Sequence, residues 1–121
     1  MSTARTAVLD EMTEFAIEEL LSGRPERPAA LVRRMAERWP EEPALGLVFA
    51  ITSAVAGIED SFGGAAPQEP VVVLGYRIAA LAAADIHAIQ AMGHVPAMAE
   101  DLLHFWRRAD PGFLGPRGGP R

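Results

Sequence analysis

Two neighbouring segments, 43–62 and 70–92, are apolar on almost every side, and each is long enough for a helix of about five or six turns. A helix that is apolar all round must be buried by other elements. That requirement limits the chain to a helical bundle with these two segments at its centre. In the first, Ala44, Val48, Ile51, Val55, Ile58 and Phe62 recur at alternating spacings of four and three, a seam of mostly large side chains. Opposite it runs a stripe of small residues, Gly46, Ala50, Ser53, Gly57 and Ser61. The second segment repeats the design, with Leu74, Ile78, Leu81, Asp85, Ile89 and Met92 on the seam and Tyr76, Ala80, Ala83, His87 and Ala91 roughly opposite.

Proline and glycine punctuate the rest. Pro28, Pro43, Pro70 and Pro96 each read as the first turn of a helix, where the missing N–H costs nothing. Gly23, Gly63 and Gly93 follow periodic segments, where a left-handed cap is wanted. The spacing predicts five helices over 3–22, 28–39, 43–62, 70–92 and 96–109, and no strand pattern competes. The first helix carries Leu9, Met12, Ala16 and Leu20 on one face and Asp10, Glu11, Glu14 and Glu18 on the other; the second groups Leu31, Met35 and Trp39, with Val32 and Ala36 beside them. The tail from Asp110 is seven-twelfths glycine and proline, so it cannot hold a helix, although Phe113 and Leu114 could dock.

Composition excludes several classes of function. A chain of 121 residues, half of them apolar, is one globular domain. Its net charge of −5 argues against nucleic acid as the main partner. With no cysteine there is no disulfide, thiol nucleophile or thiolate metal site. All eleven basic residues are arginine, which removes lysine chemistry and reads as genomic base bias. No basic start followed by an apolar run marks a signal peptide. As membrane spans the central segments are poor: 44–58 falls short of the ~20 residues a span needs, and 71–84 contains Arg77.

Asp85 is the most unusual residue, a carboxylate at a seam position. Burying it unpaired is costly, so it is expected to accept hydrogen bonds from an arginine, a tryptophan indole or a hydroxyl, or else to line a ligand pocket. Its neighbour His87 cannot share that site, because positions two apart on a helix point about 200° away from each other. His87 reads instead as a packed or interfacial side chain. In a hairpin turning at 63–69, residues 59–60 lie level with 72–73, so Arg77, leaning toward its helix N-terminus, is expected to pair with Glu59 or Asp60. Asp101 and His104 form one Asp-x-x-His, with Glu100 a turn before His104, where carboxylate-bridged metal bundles use two such motifs and further glutamates. Arg107 and Arg108 share that face and would repel a cation. The run Arg24, Arg27, Arg33, Arg34 and Arg38 is expected to face solvent or the acidic side of the first helix.

The reading that follows is an all-α, five-helix bundle over 1–109, with a central apolar hairpin of the third and fourth helices and a tail at 110–121. Three amphipathic helices are too few to cover that hairpin, so two copies are expected to form a homodimer through Gly46, Ala50, Ser53, Gly57 and His87. The expected function is that of a small soluble interaction or regulatory module in the cytoplasm. It would act through protein–protein contacts, with no cofactor, no chemistry of its own, and neither nucleic acid nor membrane as partner. The alternatives are a ligand-binding bundle or acid–base enzyme built around Asp85, with Arg77, Glu59, Asp60 and Tyr76 as polar neighbours, and a carboxylate/histidine metal bundle.

Overall fold

The computed structural model describes residues 3–24, 26–61 and 70–109. These form six helices: α1 (Thr3–Leu20), α2 (Glu26–Ala29), α3 (Leu31–Arg38), α4 (Ala44–Ser61), α5 (Pro70–Ala91) and α6 (Ala99–Ala109). The class is all-α, as expected, but the segment expected as one helix over 28–39 is two. Pro28 lies inside the short α2, and Ala30 leaves helical geometry at φ −101° and ψ 9°. The Ala30 N–H is shared between the Glu26 and Arg27 carbonyls, at 3.2 Å each, before α3 restarts the ladder. Phe62, the turn 63–69 and the tail 110–121, with Phe113 and Leu114, lie outside the described residues.

The last helix begins at Ala99, three residues later than Pro96 suggested. Pro96 is joined to Val95 by a cis peptide, and the backbone after it serves a different purpose. Ala44 N–H donates to the Ala97 carbonyl at 2.9 Å, Ala99 N–H donates to the Glu42 carbonyl at 2.8 Å, and Pro43 and Met98 form an antiparallel bridge. The connection before α4 is thereby tied to the connection before α6. Asp101 completes the start of α6 by accepting the Met98 N–H at 2.8 Å, the return half of a capping box.

Helices α4 and α5 pack as an antiparallel hairpin, α1 lies along α4, and α6 rests on α3, α4 and α5. Met12, Leu31, Met35, Leu47, Ile51, Val55, Leu102 and Trp106 are the largest fully buried side chains. The amphipathic helices turn the expected faces inward: Met12, Ala16 and Leu20 from α1, and Leu31, Val32, Met35 and Ala36 from α3. In α4 the seam members Ala44, Ile51, Val55 and Ile58 are likewise buried.

In α5 the inward line is not the seam of large residues. Val72, Gly75, Ala79, Ala82, Ile86 and Ile89 are buried, while Leu81 and Met92 are exposed. The reason is close approach. A Cβ on Gly75 would collide with the Val55 side chain of α4 and come within 3.6 Å of Leu20 from α1, so small residues must face inward where these helices meet.

Glu19 is the one buried carboxylate among the described residues, only 4% exposed on the inner edge of α1. Arg27 Nη1 donates to its Oε2 at 3.3 Å, and Arg34 Nη1 lies 3.1 Å from its Oε1. Part of the basic run thus meets an acid of the first helix. Oε1 receives no hydrogen bond among the described residues, so charge alone holds that side of the group. Both arginines are more than a third exposed and can return to water when the acid is removed. Glu19→Ala is therefore expected to cost about 1–2 kcal/mol, toward the low end for charged hydrogen bonds. Urea unfolding of the two proteins measures the difference, and an unchanged midpoint would show that the cluster is not stabilising.

Candidate functional site

The shift of the inward line in α5 decides the environment of Asp85. It sits one residue off that line, half-buried on the flank that meets α6. There the indole N–H of Trp106 donates to Asp85 Oδ2 at 2.8 Å. An indole can only donate, and a buried one needs an acceptor; Trp106 is 1% exposed, so the carboxylate supplies what the core cannot. His87 is exposed and takes no part. The groove between the end of α5 and α6 is lined by Ile89, a turn further on, and not by Asp85. Among the described residues no three of Asp, Glu and His converge to hold a metal ion, and Asp101, the acid of the Asp-x-x-His, is engaged with the Met98 N–H.

On the other flank of α5 the hairpin register lies close to that expected, but a different side chain uses it. The Tyr76 hydroxyl donates to Glu59 Oε1 at 3.0 Å. Arg77, about 100° further round the helix, is exposed and makes no ion pair with Glu59 or Asp60 among the described residues. The hydrogen bond to Glu59, then partial burial and the negative charges of Glu59 and Asp60, hold the Tyr76 phenol above its ordinary pKa. A raised phenol favours the protonated, folded form. That contribution is complete below the unfolded pKa and disappears as pH rises through the folded one. Tyr76 is the only tyrosine. An ultraviolet phenolate titration therefore reads it directly, and Glu59→Gln is expected to lower the midpoint; an unmoved midpoint would mean that the bond does not form.

The small-residue stripe of α4 divides between core and solvent. Gly46 is half-buried, with Met12 and Leu9 of α1 at 3.7 and 3.9 Å from its Cβ position, and Ala50, one turn on, is fully buried. Ser53 is half-buried, while Gly57 is exposed with nothing within 4 Å of its Cβ position. Packing of α1 against the first half of the stripe leaves Ala50 no surface to present to a second copy. Because the space at Gly57 is open, Gly57→Ala is expected to raise stability by up to about 1 kcal/mol through helix propensity alone. A fall in the melting temperature would show that something does pack there.

The open surface lies a quarter-turn or so away. On α4 the exposed residues include Leu45, Phe49, Thr52, Ala56 and Asp60, and on α5 they include Val73, Tyr76, Ala80, Ala84, His87 and Ala91. Both sets follow helical spacing. The Tyr76–Glu59 bond joins the two helices beside Ala56 and Asp60, so the stripes share one face. Leu45 and Phe49 are each 56% exposed and border a shallow groove of about 300 Å³ completed by Leu9, Glu42, Pro43 and Gly46. Comparison with known proteins finds no matching family, no related curated protein and no similar solved structure. Leu45, Phe49, Thr52 and Ala56 form a third stripe of α4, visible in the sequence as spacings of four, three and four but overshadowed by the stronger seam beside it.

Proposed function

We propose that the chain is a helical interaction module, without chemistry of its own, that associates through the exposed face of α4 and α5, with a second copy as its occupant. The observation that carries this reading is the exposure of Leu45, Phe49, Thr52 and Ala56 along α4 and of Val73, Tyr76, Ala80 and Ala84 along α5, two helices joined by the Tyr76–Glu59 bond. Monomers rarely leave a patch of this kind open. The face is mostly apolar; among the described residues its charges are Glu59, hydrogen-bonded to Tyr76 between the two helices, and Asp60 and Arg77 beside it. Twofold pairing would let Phe49 of one copy enter the shallow groove beside Leu9 and Pro43 of the other, an isologous contact that closes on itself. In this reading the fully buried Ala50 leaves the interface, Gly46 stays at its edge in the groove wall, His87 belongs to the α5 stripe, and Gly57 lies at the border. The reading places the module in the cytoplasm and away from nucleic acid, in keeping with its net charge of −5.

By length and composition α4 and α5 could each cross a membrane, with 39% and 33% of their apolar windows buried. The dimer reading is favoured because the inner faces of the same helices pack on α1 and α6, contacts that a spanning hairpin would have to give up. Light scattering and vesicle flotation on the same preparation test it. The expected result is a dimer that Phe49→Asp dissociates, weakening association by at least about thirtyfold, as for an interface hot spot. A monomer at high concentration, or flotation with vesicles that Phe49→Asp abolishes, would overturn it.

A further inference from the structure

Away from the face of α4 and α5, the end of α5 and the outer side of α6 enclose an open groove of about 690 Å³. That volume lies within the range of small-molecule sites. Its floor is apolar, made by Ile89 and Met92 of the α5 end and Phe105 of α6. Its rim is basic: His104, Arg107 and Arg108 follow one another at helical spacing along α6, and His94 closes the opposite side. Among the described residues Asp101 is the one acid in the lining, and its Oδ2 is already held by the Met98 N–H.

The placement of His94 is built into the backbone. His94 N–H donates to the Ile89 carbonyl at 3.3 Å and Gly93 N–H to the Gln90 carbonyl at 3.0 Å, the paired bonds of a Schellman cap, with Gly93 at φ +104°. The cap turns the chain sharply at the end of α5, so that the next residue stands over the groove. Gln90 Oε1 then accepts the Ala97 N–H at 3.0 Å and fixes the connection that carries the rim.

In a chain with a net charge of −5, two guanidiniums against the single described acid Asp101 give this apolar groove a local charge opposite to the overall one. We infer that this groove binds a small amphipathic anion, a carboxylate on an aliphatic body. The carboxylate is held by Arg107 and Arg108, and the aliphatic part lies on Ile89, Met92 and Phe105. Guanidinium and carboxylate suit one another through paired, charge-assisted hydrogen bonds. The apolar floor explains why a bare anion would not suffice.

Calorimetric titration with dodecanoate, kept below its micellar concentration, tests the assignment. One saturable site per chain is expected, with dodecanol and dodecyltrimethylammonium at least about tenfold weaker and acetate without measurable binding. The Arg107→Gln, Arg108→Gln double variant changes only exposed side chains, and should weaken dodecanoate by about tenfold or more while its circular dichroism stays the same. Met92→Glu, which sets a like charge on the floor, should do the same. Phe49→Asp, on the other face, should leave the affinity unchanged, so this site and the dimer reading fail separately. The inference is overturned if dodecanol binds as tightly as dodecanoate, if the double variant retains full affinity, or if anionic vesicles bind the protein and free dodecanoate does not.

Discussion

Replacing Trp106 with alanine is expected to remove about 3–5 kcal/mol of stability, a large part of the 5–15 kcal/mol typical of a domain. Two losses combine. The indole is one of the largest fully buried side chains, on the helix that closes the bundle over α3, α4 and α5, so its deletion leaves a cavity. Its N–H is also the donor that Asp85 Oδ2 accepts at 2.8 Å, so the half-buried carboxylate loses its partner. Trp106→Phe separates the two. It keeps most of the volume and removes the donor, and should cost about 1–3 kcal/mol. Asp85→Ala should cost a similar amount by removing the carboxylate to which the buried indole N–H donates, and Asp85→Asn noticeably less because its amide oxygen can still accept. Urea unfolding of the single variants and of the Trp106→Phe, Asp85→Ala double variant gives the coupling between them. Additive costs would mean that the hydrogen bond contributes nothing. An Asp85→Leu variant more stable than the parent would mean that the carboxylate is only a tolerated packing fault.

The second large effect is expected at Gly75. A methyl group there falls on the Val55 side chain, a stiff β-branched group within α4, and would also touch Leu20 of α1 at ordinary contact distance. Gly75→Ala gains helix propensity of about 1 kcal/mol and loses more than that to overpacking, for a net cost of about 1–3 kcal/mol. Gly75→Leu, which must push α4 and α5 apart, should cost more. Combining Gly75→Ala with Val55→Ala removes both Val55 methyl groups opposite the added one and should recover part of the overpacking loss, which distinguishes overpacking from a backbone effect. Thermal melts of the three variants decide it; a Gly75→Ala protein that melts above the parent would disprove the close approach of α5 to α4.

Much of the architecture was legible in the sequence because it rests on local rules. Amphipathic spacing placed Met12, Ala16 and Leu20 of α1 and Leu31 and Met35 of α3 inward, and they are buried. Pro70 opens α5, and Gly93, at φ +104°, caps its end. Antiparallel hairpin counting put residues 59–60 level with 72–73 and within reach of a side chain from 77; the contact is made by Tyr76 and not Arg77. That difference is one of rotation, which turn counting does not specify.

Rotation is what tertiary structure decided. A helix apolar on all sides carries no mark of which side its neighbours will take, and in α5 the large residues at 74, 78 and 81 outvoted the true line through Gly75, Ala79 and Ala82. The small residues won because helix axes that approach closely leave no volume between them for leucine. The same contact turned Asp85 from a seam position to a flank, where only the docking of α6 could supply Trp106. It also put Gly46 and Ala50 under α1 and left Leu45 and Phe49 outside. Helix position and length follow from the order of residues along the chain. The face each helix hides follows from the volumes of side chains that meet only after folding.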